Sequence, residues 1–280
     1  MNMTLSFRSL IFGIAICAAS AQASPALAIT PADPCRAPDD VSGAVAALPS
    51  VAAKVQAGGV LDVLAVGSAT MFGPEASLAP GTITSQSLGN GNTALTPAKL
   101  ITGPPSERAF PLQMAKALKG SVPGLEIKMT VRGGRGLQAT DMLALIRAEL
   151  ATQHYDLVIW QTGTVEAVRN VPPGEFAQTL SEGAELISSA GANLVLVDPQ
   201  YSRFLQTNSN VEPYEQGLQQ VAAMPGVVLF RRYDLMRTWA NDSQIDLERT
   251  PRADRQRVVD TLHACLGKHL ARLVLESARS

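Results

Sequence analysis

The amino-acid sequence predicts an α/β protein, a three-layer α/β/α sandwich built on a five-stranded parallel sheet. Three observations predict this class. Short apolar runs of strand length alternate with amphipathic stretches of helix length, most of the runs are apolar at successive positions, and no internal repeat is present. Strands that helices cover on both faces need such continuous apolar runs. Strand and helix alternation implies right-handed crossovers and therefore parallel strands.

The predicted strands are five apolar runs: VLDVLAV (60–66), LEIKMTV (125–131), YDLVIWQ (155–161), NLVLVDP (193–199) and GVVLFRR (226–232). Four stretches between them place apolar residues near the helical period: AFPLQMAKALKG, ATDMLALIRAELATQ, EFAQTLSEGAELISSAG and PYEQGLQQVAAM. A last helix is predicted over about 262–276. Ligands of such sheets bind at the carboxyl ends of the strands, so the loops that follow strands hold the candidate functional residues.

Length and charge limit the function classes. The chain has 280 residues with 46% apolar content, enough for one substantial core and a single domain. Its net charge is −1 and it has no basic run, whereas nucleic-acid binding needs a clustered Lys/Arg surface. We therefore expect no nucleic-acid partner.

Residues 1–28 have the features of a secretory signal peptide. Arg8 precedes an apolar stretch at 10–19, and A-x-A patterns follow at 21–23 and 26–28. The apolar stretch is too short for a permanent bilayer span. We therefore expect a secreted or periplasmic protein, with one mature domain over 29–280 and no stable membrane span. An uncleaved N-terminal anchor is the alternative.

Signal removal would leave Cys35 and Cys265 in a compartment that permits disulfides. A bridge between them would tie the mature N-terminus to the last helix and close a very long loop, which stabilises by about 4 kcal/mol on the chain-entropy model. Two unpaired buried thiols are the alternative.

The segment 74–108 interrupts the alternation of strands and helices. It is rich in Gly, Pro, Ser and Thr and shows no sustained period. A connection of this length is uncommon in a compact domain and is usually a functional lid or a disordered insertion. The sequence leaves both open.

Asp260 and His263 stand three apart in VVDTLHACLGKHLARLV, at the entry to the last predicted helix. A carboxylate at that spacing can accept a hydrogen bond from one imidazole nitrogen and leave the other as a general base. A helix-capping Asp with a His in the first turn is the alternative.

The loop VRGGRG carries Gly133, Gly134 and Gly136 between a predicted strand and a predicted helix. Such glycines let backbone N–H groups approach an anion at the helix N-terminus, although a tight strand-to-helix turn needs glycines too. The spacing matches neither a Walker A motif nor a dinucleotide fingerprint. In the next loop, IWQTGTVEA, the polar residues after the strand are typical of helix caps.

Taken in chain order, GSATMFG, VRGGRG, GTVE and DTLH resemble the motifs of the SGNH/GDSL hydrolase family. That family has GDSxTxG after the first strand, an oxyanion glycine after the second, GxND after the third and a late DxxH. The resemblance covers nearly all of the mature chain. It implies a flavodoxin-like sheet (the SGNH hydrolase fold), no metal or cofactor, and a small-molecule ester, carbohydrate or lipid-like substrate.

The resemblance implies roles for three residues. Asp260 matches the orienting acid, His263 the base and Gly136 the oxyanion glycine. Two family residues are missing, because the nucleophile position falls on Ala69 and the oxyanion asparagine position falls on Val165. Loss of a nucleophile costs several orders of magnitude in rate, and loss of one oxyanion donor a further ~10²–10³.

Ser68, where the family has its aspartate, is the nearest substitute nucleophile, although adjacent side chains on a strand point to opposite sides. Thr70 has the favourable parity but a crowded branched side chain. Two functions therefore remain: a divergent ester hydrolase of the bacterial envelope that uses Ser68, or an inactive pseudoenzyme that binds a carbohydrate or acyl ligand. A nucleotide or phosphate ligand at the glycine loop is disfavoured, because export removes the usual supply of such cofactors.

Overall fold

The computed structural model describes Met1 and residues 33–38, 41, 43, 45–78 and 99–280. The predicted signal peptide beyond Met1 and the middle of the predicted insertion, 79–98, lie outside the described residues. The chain divides into two units, Met1–Ala32 and Asp33–Ser280, and every helix and strand given below belongs to the second.

The described residues form one six-stranded sheet. Its strands are β1 (Val60–Ser68), β2 (Lys99–Leu100), β3 (Glu126–Arg135), β4 (Leu157–Gln161), β5 (Asn193–Val197) and β6 (Val227–Phe230). They lie in the order β2-β3-β1-β4-β5-β6. The five strands other than β2 run parallel to one another, as the sequence predicts.

Strand β2 was not predicted. It pairs antiparallel with the end of β3, Lys99 opposite Arg135 and Leu100 opposite Gly134. A two-residue strand has no periodicity to detect, and this one lies inside the Gly/Pro-rich segment 74–108. Part of that segment is therefore an edge strand of the sheet.

The helices are α1 (Pro49–Ala57), α2 (Pro74–Leu78), α3 (Phe110–Ser121), α4 (Ala139–Leu150), α5 (Thr164–Arg169), α6 (Pro173–Ser189), α7 (Arg203–Asn208), α8 (Glu212–Val221), α9 (Arg232–Asn241) and α10 (Arg255–Ser277). Single 3₁₀ turns occupy Ala69–Phe72 and Arg252–Asp254. None of the helices in the described part of the chain combines the length and apolarity needed to cross a bilayer.

Both faces of the sheet are covered, which confirms the three-layer α/β/α sandwich. Along β1, Val63 and Ala65 belong to one core, whereas Leu64 and Val66 belong to the other. The first core packs against α1, α3 and α10, and the second packs against α4, α6 and α8. Burial on both sides explains why these strands are apolar at successive positions.

The last helix is longer than the sequence predicts. It begins at Arg255 rather than near residue 262, because Val259 and Leu262 are buried and extend the apolar stripe of the helix toward its N-terminus. Asp260 and His263 therefore lie inside α10 and not at its entry. The predicted disulfide is confirmed: Cys35 and Cys265 are bonded, with their Cα atoms 4.9 Å apart.

Candidate active site

The carboxyl ends of β3, β1 and β4 are adjacent. Hydrogen bonds and ion pairs of Ser106 and Arg108 connect the turn after β1 to α10 at this rim. The carbonyl of Phe72 accepts a hydrogen bond from the N–H of Ser106 at 2.9 Å. The guanidinium of Arg108 pairs with Glu75 on α2, and its Nη1 lies 2.7 Å from Asp260 Oδ2 on α10. The structure thus brings the glycine turn and the DxxH helix to the same rim of the sheet.

His263 is buried at this rim and neutral at pH 7. Burial lowers its pKa to about 4; the charges of Arg232 and Arg108 lower it as well, and Asp260 opposes them. Its Nδ1 accepts a hydrogen bond from the N–H of Phe110 at 3.1 Å. An imidazole that accepts at Nδ1 and is neutral carries its proton on Nε2. The ring is therefore a donor at Nε2 in this arrangement.

Asp260 does not receive the Nδ1 proton of His263, because that nitrogen is an acceptor. Its two carboxylate oxygens accept hydrogen bonds from Arg108 at 2.7 Å and Gln256 at 3.0 Å. An orienting acid would need a donating Nδ1. At the start of α10 itself, an ion pair joins Asp254 Oδ1 and Arg257 Nη2 at 3.2 Å.

Ser68 closes a ring of three polar side chains at the carboxyl ends of β1 and β4. Its Oγ accepts a hydrogen bond from Gln161 Nε2 at 2.8 Å, while the hydroxyl of Thr70 donates to Gln161 Oε1 at 2.7 Å. The two hydroxyl oxygens are 3.0 Å apart. The hydroxyl of Thr70 already donates its proton to Gln161. Ser68 is therefore the donor of the hydrogen bond between the two hydroxyls. We call Ser68, Thr70 and Gln161 the hydroxyl–amide ring.

The residue at the family's nucleophile position has no reactive group and is buried. Ala69 begins the 3₁₀ turn that Ser68 caps, and its side chain is buried. The hydroxyl proton of Ser68 points to Thr70 in the hydroxyl–amide ring. The role of Ser68 as a nucleophile thus stays a prediction.

Close strand pairing requires the glycines of VRGGRG. A Cβ at Gly133 would lie 1.9 Å from the carbonyl oxygen of Gly67, and one at Gly134 would lie 2.0 Å from that of Lys99. Strand β3 therefore continues through both positions. Gly136 follows the strand with φ +67°, in the left-handed region that favours glycine. These contacts explain the motif without a bound anion, and an oxyanion role for Gly136 stays a prediction.

The third motif also has a structural explanation. Glu166 is buried; its Oε1 accepts from the N–H of Ala139 at 2.5 Å and its Oε2 from the N–H of Gly163 at 2.9 Å. Burial raises the pKa of this carboxyl group, and its hydrogen bonds act in the opposite direction. Glu166 joins the starts of α4 and α5, as a capping residue does. The side chain of Val165 is buried and offers no donor.

Sequence reasoning missed two residues of the rim, Gln161 and Arg232. Gln161 is a polar residue at the end of an apolar strand, a signal that it faces the rim. Arg232 follows Arg231 in FRR, and nothing in the sequence distinguishes the buried arginine from its half-buried neighbour. Within the described ranges, no group of three or more His, Cys, Asp or Glu side chains is placed to hold a metal ion.

The sheet order, the helical layers and the four motifs in chain order define the SGNH hydrolase class. Residues 92–280 match the model of the non-GDSL lipase-like family, and the chain belongs to that family. No curated protein matches the chain.

Two solved structures show the same fold. One is a two-domain esterase (CEX) active on acetylated mannans, co-crystallised with mannopentaose, at 14% identity and a TM-score of 0.57; the match covers 86% of this chain and 56% of that one. The chain thus spans little more than half of the esterase. The other is Axe2, an acetylxylan esterase from Geobacillus stearothermophilus, at 14% identity and a TM-score of 0.52, covering 76% and 94%.

Proposed function

We propose that the protein is an inactive SGNH hydrolase relative that binds an acylated carbohydrate or an acyl ligand at the carboxyl rim of its sheet. The hydrogen bond from the Phe110 N–H to His263 Nδ1 carries this proposal. A general base of the serine-hydrolase type accepts a proton at Nε2 while Nδ1 donates to an acid. Here Nε2 already holds the proton, so His263 is not available as a base.

The nucleophile side of the rim supports the same proposal. Ester cleavage needs a hydroxyl whose proton moves to a base as the oxygen attacks the carbonyl. The hydroxyl of Ser68 donates to Thr70 instead, and its lone pairs face Gln161 and the N–H of Thr70. Ala69 and Val165 remove the other two groups of the family mechanism.

The chemistry of the ligand is proposed from the fold. The esterases that share it act on acetylated mannans and on acetylxylan, and we infer an acylated saccharide of similar kind for this rim. The features of residues 1–28 and the Cys35–Cys265 bridge support a location outside the cytoplasm, in the envelope or beyond.

A divergent ester hydrolase is the second candidate, favoured by membership in the non-GDSL lipase-like family and by the position of Ser68 at the carboxyl end of β1. It would use Ser68 as nucleophile, His263 as base, Asp260 as orienting acid and Gly136 as an oxyanion donor. Such activity would require the imidazole to release Phe110 and Asp260 to release Arg108.

Labelling with a fluorophosphonate probe tests the proposal. We expect no adduct on the purified protein, and unchanged binding of an acetylated xylo-oligosaccharide by calorimetry in Ser68→Ala. A double variant, Ala69→Ser with Val165→Asn, serves as the comparison with restored family residues. An adduct on Ser68 that disappears in Ser68→Ala would instead establish the hydrolase.

A further inference from the structure

Arg232, the first residue of α9, is a buried cation, and two of its three side-chain nitrogens are unsatisfied among the described residues. It is 1% exposed, and among the described residues neither Nε nor Nη2 has a hydrogen-bond partner. Buried charges in native proteins are paired, because an isolated one costs several kcal/mol. Arg232 follows β6 by two positions and therefore lies at the carboxyl rim, where ligands of such sheets bind.

Asp198, just after β5, is the buried carboxyl group whose charge acts on Arg232, and burial raises the pKa of Asp198 itself well above its ordinary range. Its Oδ1 accepts a hydrogen bond from the N–H of Tyr233 at 2.8 Å, and no ion pair joins it to Arg232 in the described ranges. Burial lowers the pKa of Arg232 to about 10, and the charge of Asp198 opposes this lowering without reversing it. The guanidinium is protonated at pH 7, and no side chain in the described part of the chain supplies it with a directly bonded anion.

The two unsatisfied nitrogens identify the shape of the missing partner. Nε–H and Nη2–H lie along one edge of the planar guanidinium and point the same way, so that edge matches the two oxygens of a carboxylate.

The same arginine acts electrostatically on His263, whose pKa its charge lowers. The buried guanidinium and the neutral imidazole, with its proton on Nε2, therefore belong to one part of the rim. A ligand at this rim that carries acceptor oxygens and one negative charge would match the unsatisfied edge of this guanidinium.

We propose that Arg232 binds a carboxylate of the ligand through its Nε–Nη2 edge, so the ligand is an acidic molecule. This rests on the proposed function, because it places the ligand at the same rim. The carboxylate can belong to a uronic acid residue of an acylated saccharide or to a free acyl chain. Residues 2–32 and 79–98 contain no Asp or Glu, and Asp39 and Asp40 are the acidic residues outside the described ranges.

Binding of simple carboxylates to the purified protein tests the inference. Glucuronate, octanoate and acetate are titrated at constant ionic strength, with chloride and sulfate as reference anions, and two quantities are followed: Tm and the ¹⁵Nε–¹H resonance of Arg232. We expect carboxylates to raise Tm and shift that resonance. Arg232→Met should weaken this binding by about tenfold or more. A stronger effect of glucuronate than of octanoate assigns the saccharide source, and the reverse assigns the acyl source.

Arg231→Met is the matched control, since Arg231 is a neighbouring arginine that pairs with Asp234; it should bind carboxylates like the parent. Arg232→Lys keeps the charge but loses the planar edge, and we expect most of the affinity to be lost. Because loss of a buried charge without a partner is often neutral or stabilising, Arg232→Met is expected to fold.

Equal carboxylate binding by Arg232→Met and the parent would overturn the inference, as would a sulfate effect as large as that of glucuronate. A shift of the ligand-free Arg232 resonance in Asp39→Asn with Asp40→Asn would also overturn it, since the chain's own carboxylate would then fill the edge. Binding of a neutral acetylated xylo-oligosaccharide without any carboxylate binding would defeat this inference alone. Absence of both kinds of binding would defeat the proposed function as well.

Discussion

Two regions of the carboxyl rim of the sheet differ in whether their polar side chains have hydrogen-bond partners. At the carboxyl ends of β1 and β4, the hydroxyl–amide ring satisfies Ser68, Thr70 and Gln161 among themselves. At the carboxyl ends of β5 and β6, Arg232 keeps two N–H groups without a partner in the described part of the chain. The first region holds the family's nucleophile position, and the second lies outside the four family motifs.

The difference separates polar groups that stabilise the fold from polar groups kept for a ligand. A closed ring of hydrogen bonds stabilises the native state and engages both hydroxyl protons within the ring. An unsatisfied buried cation costs stability, and a bound anion can offset that cost. The geometry thus places the structural part of the rim at β1 and β4, and its candidate binding part at β6.

The largest expected effect concerns the glycines beside the ring. Gly133→Ala should destabilise the protein by about 4 kcal/mol, because the new Cβ would overlap the carbonyl of Gly67 at a positive φ. Urea unfolding measures the loss. Gly174→Ala is the control: a Cβ there has no neighbour within 4 Å, and we expect a gain of up to about 1 kcal/mol. A loss at residue 133 below 1 kcal/mol, roughly the ordinary cost of a point mutation, would refute the packing argument.

The second effect is a pH dependence from His263, whose pKa the charge of Arg232 helps to lower. Its pKa is about 4 in the folded protein, below the ordinary 6.5, so the unfolded chain binds the proton more readily. The contribution is complete above pH 6.5 and is lost as pH falls toward 4. Between pH 7.5 and 4.5 we expect a loss of about 2–3 kcal/mol.

His263→Asn is the matched variant for this measurement, because its amide oxygen can still accept from the N–H of Phe110. The free energy of unfolding of parent and variant, compared across the same pH range, should diverge by the stated amount. Parallel pH profiles would mean that His263 titrates normally.

Opening the hydroxyl–amide ring is the third test. Gln161→Leu removes the amide oxygen and nitrogen, and the hydroxyls of Ser68 and Thr70 lose their bonds to that amide. We expect a loss of about 2 kcal/mol in the free energy of unfolding. Gln178→Leu, on the exposed side of α6, should change stability by less than about 0.5 kcal/mol. If the two variants are equally stable in chemical denaturation, the ring contributes nothing and the contrast between the regions disappears.

The smallest effect should have the opposite sign. Without added carboxylate, Arg232→Met should be neutral or more stable than the parent by about 1 kcal/mol, since it removes a buried cation. Arg231→Met should lose up to about 0.5 kcal/mol with its surface ion pair. A loss above 3 kcal/mol for Arg232→Met in thermal unfolding would show that the guanidinium is already paired.

The sheet was predictable from the sequence because burial on both faces leaves a continuous apolar signature in most of the long strands. The disulfide was predictable because the predicted removal of residues 1–28 would leave only two cysteines, and the family was predictable from four motifs in order. The site was less so. Asp260 and His263 have the same spacing at the entry to a helix and inside one. Only the burial of Val259 and Leu262 shows that the helix begins before them.

Tertiary contacts decide the remaining features, and the sequence does not state them. The partners of Ser68 are an amide 93 positions away and a hydroxyl in the next turn. The sequence also allows Glu166 to face a crevice. In the structure its carboxylate instead accepts a hydrogen bond from the N–H of Ala139 at the start of α4. Such pairings depend on how strands align, so a motif alone cannot separate a reactive residue from a satisfied one.

The bridge between Cys35 and Cys265 has a consequence for biogenesis. Its two sulfurs are separated by 230 positions in the chain. In the oxidising compartment that we propose as its location, a chain that enters amino end first would present Cys35 long before Cys265, so the correct bond could form only once nearly the whole domain has emerged. An intact crosslink is therefore a mark of finished molecules, and chains truncated before α10 would keep a lone thiol that thiol-reactive quality control can recognise.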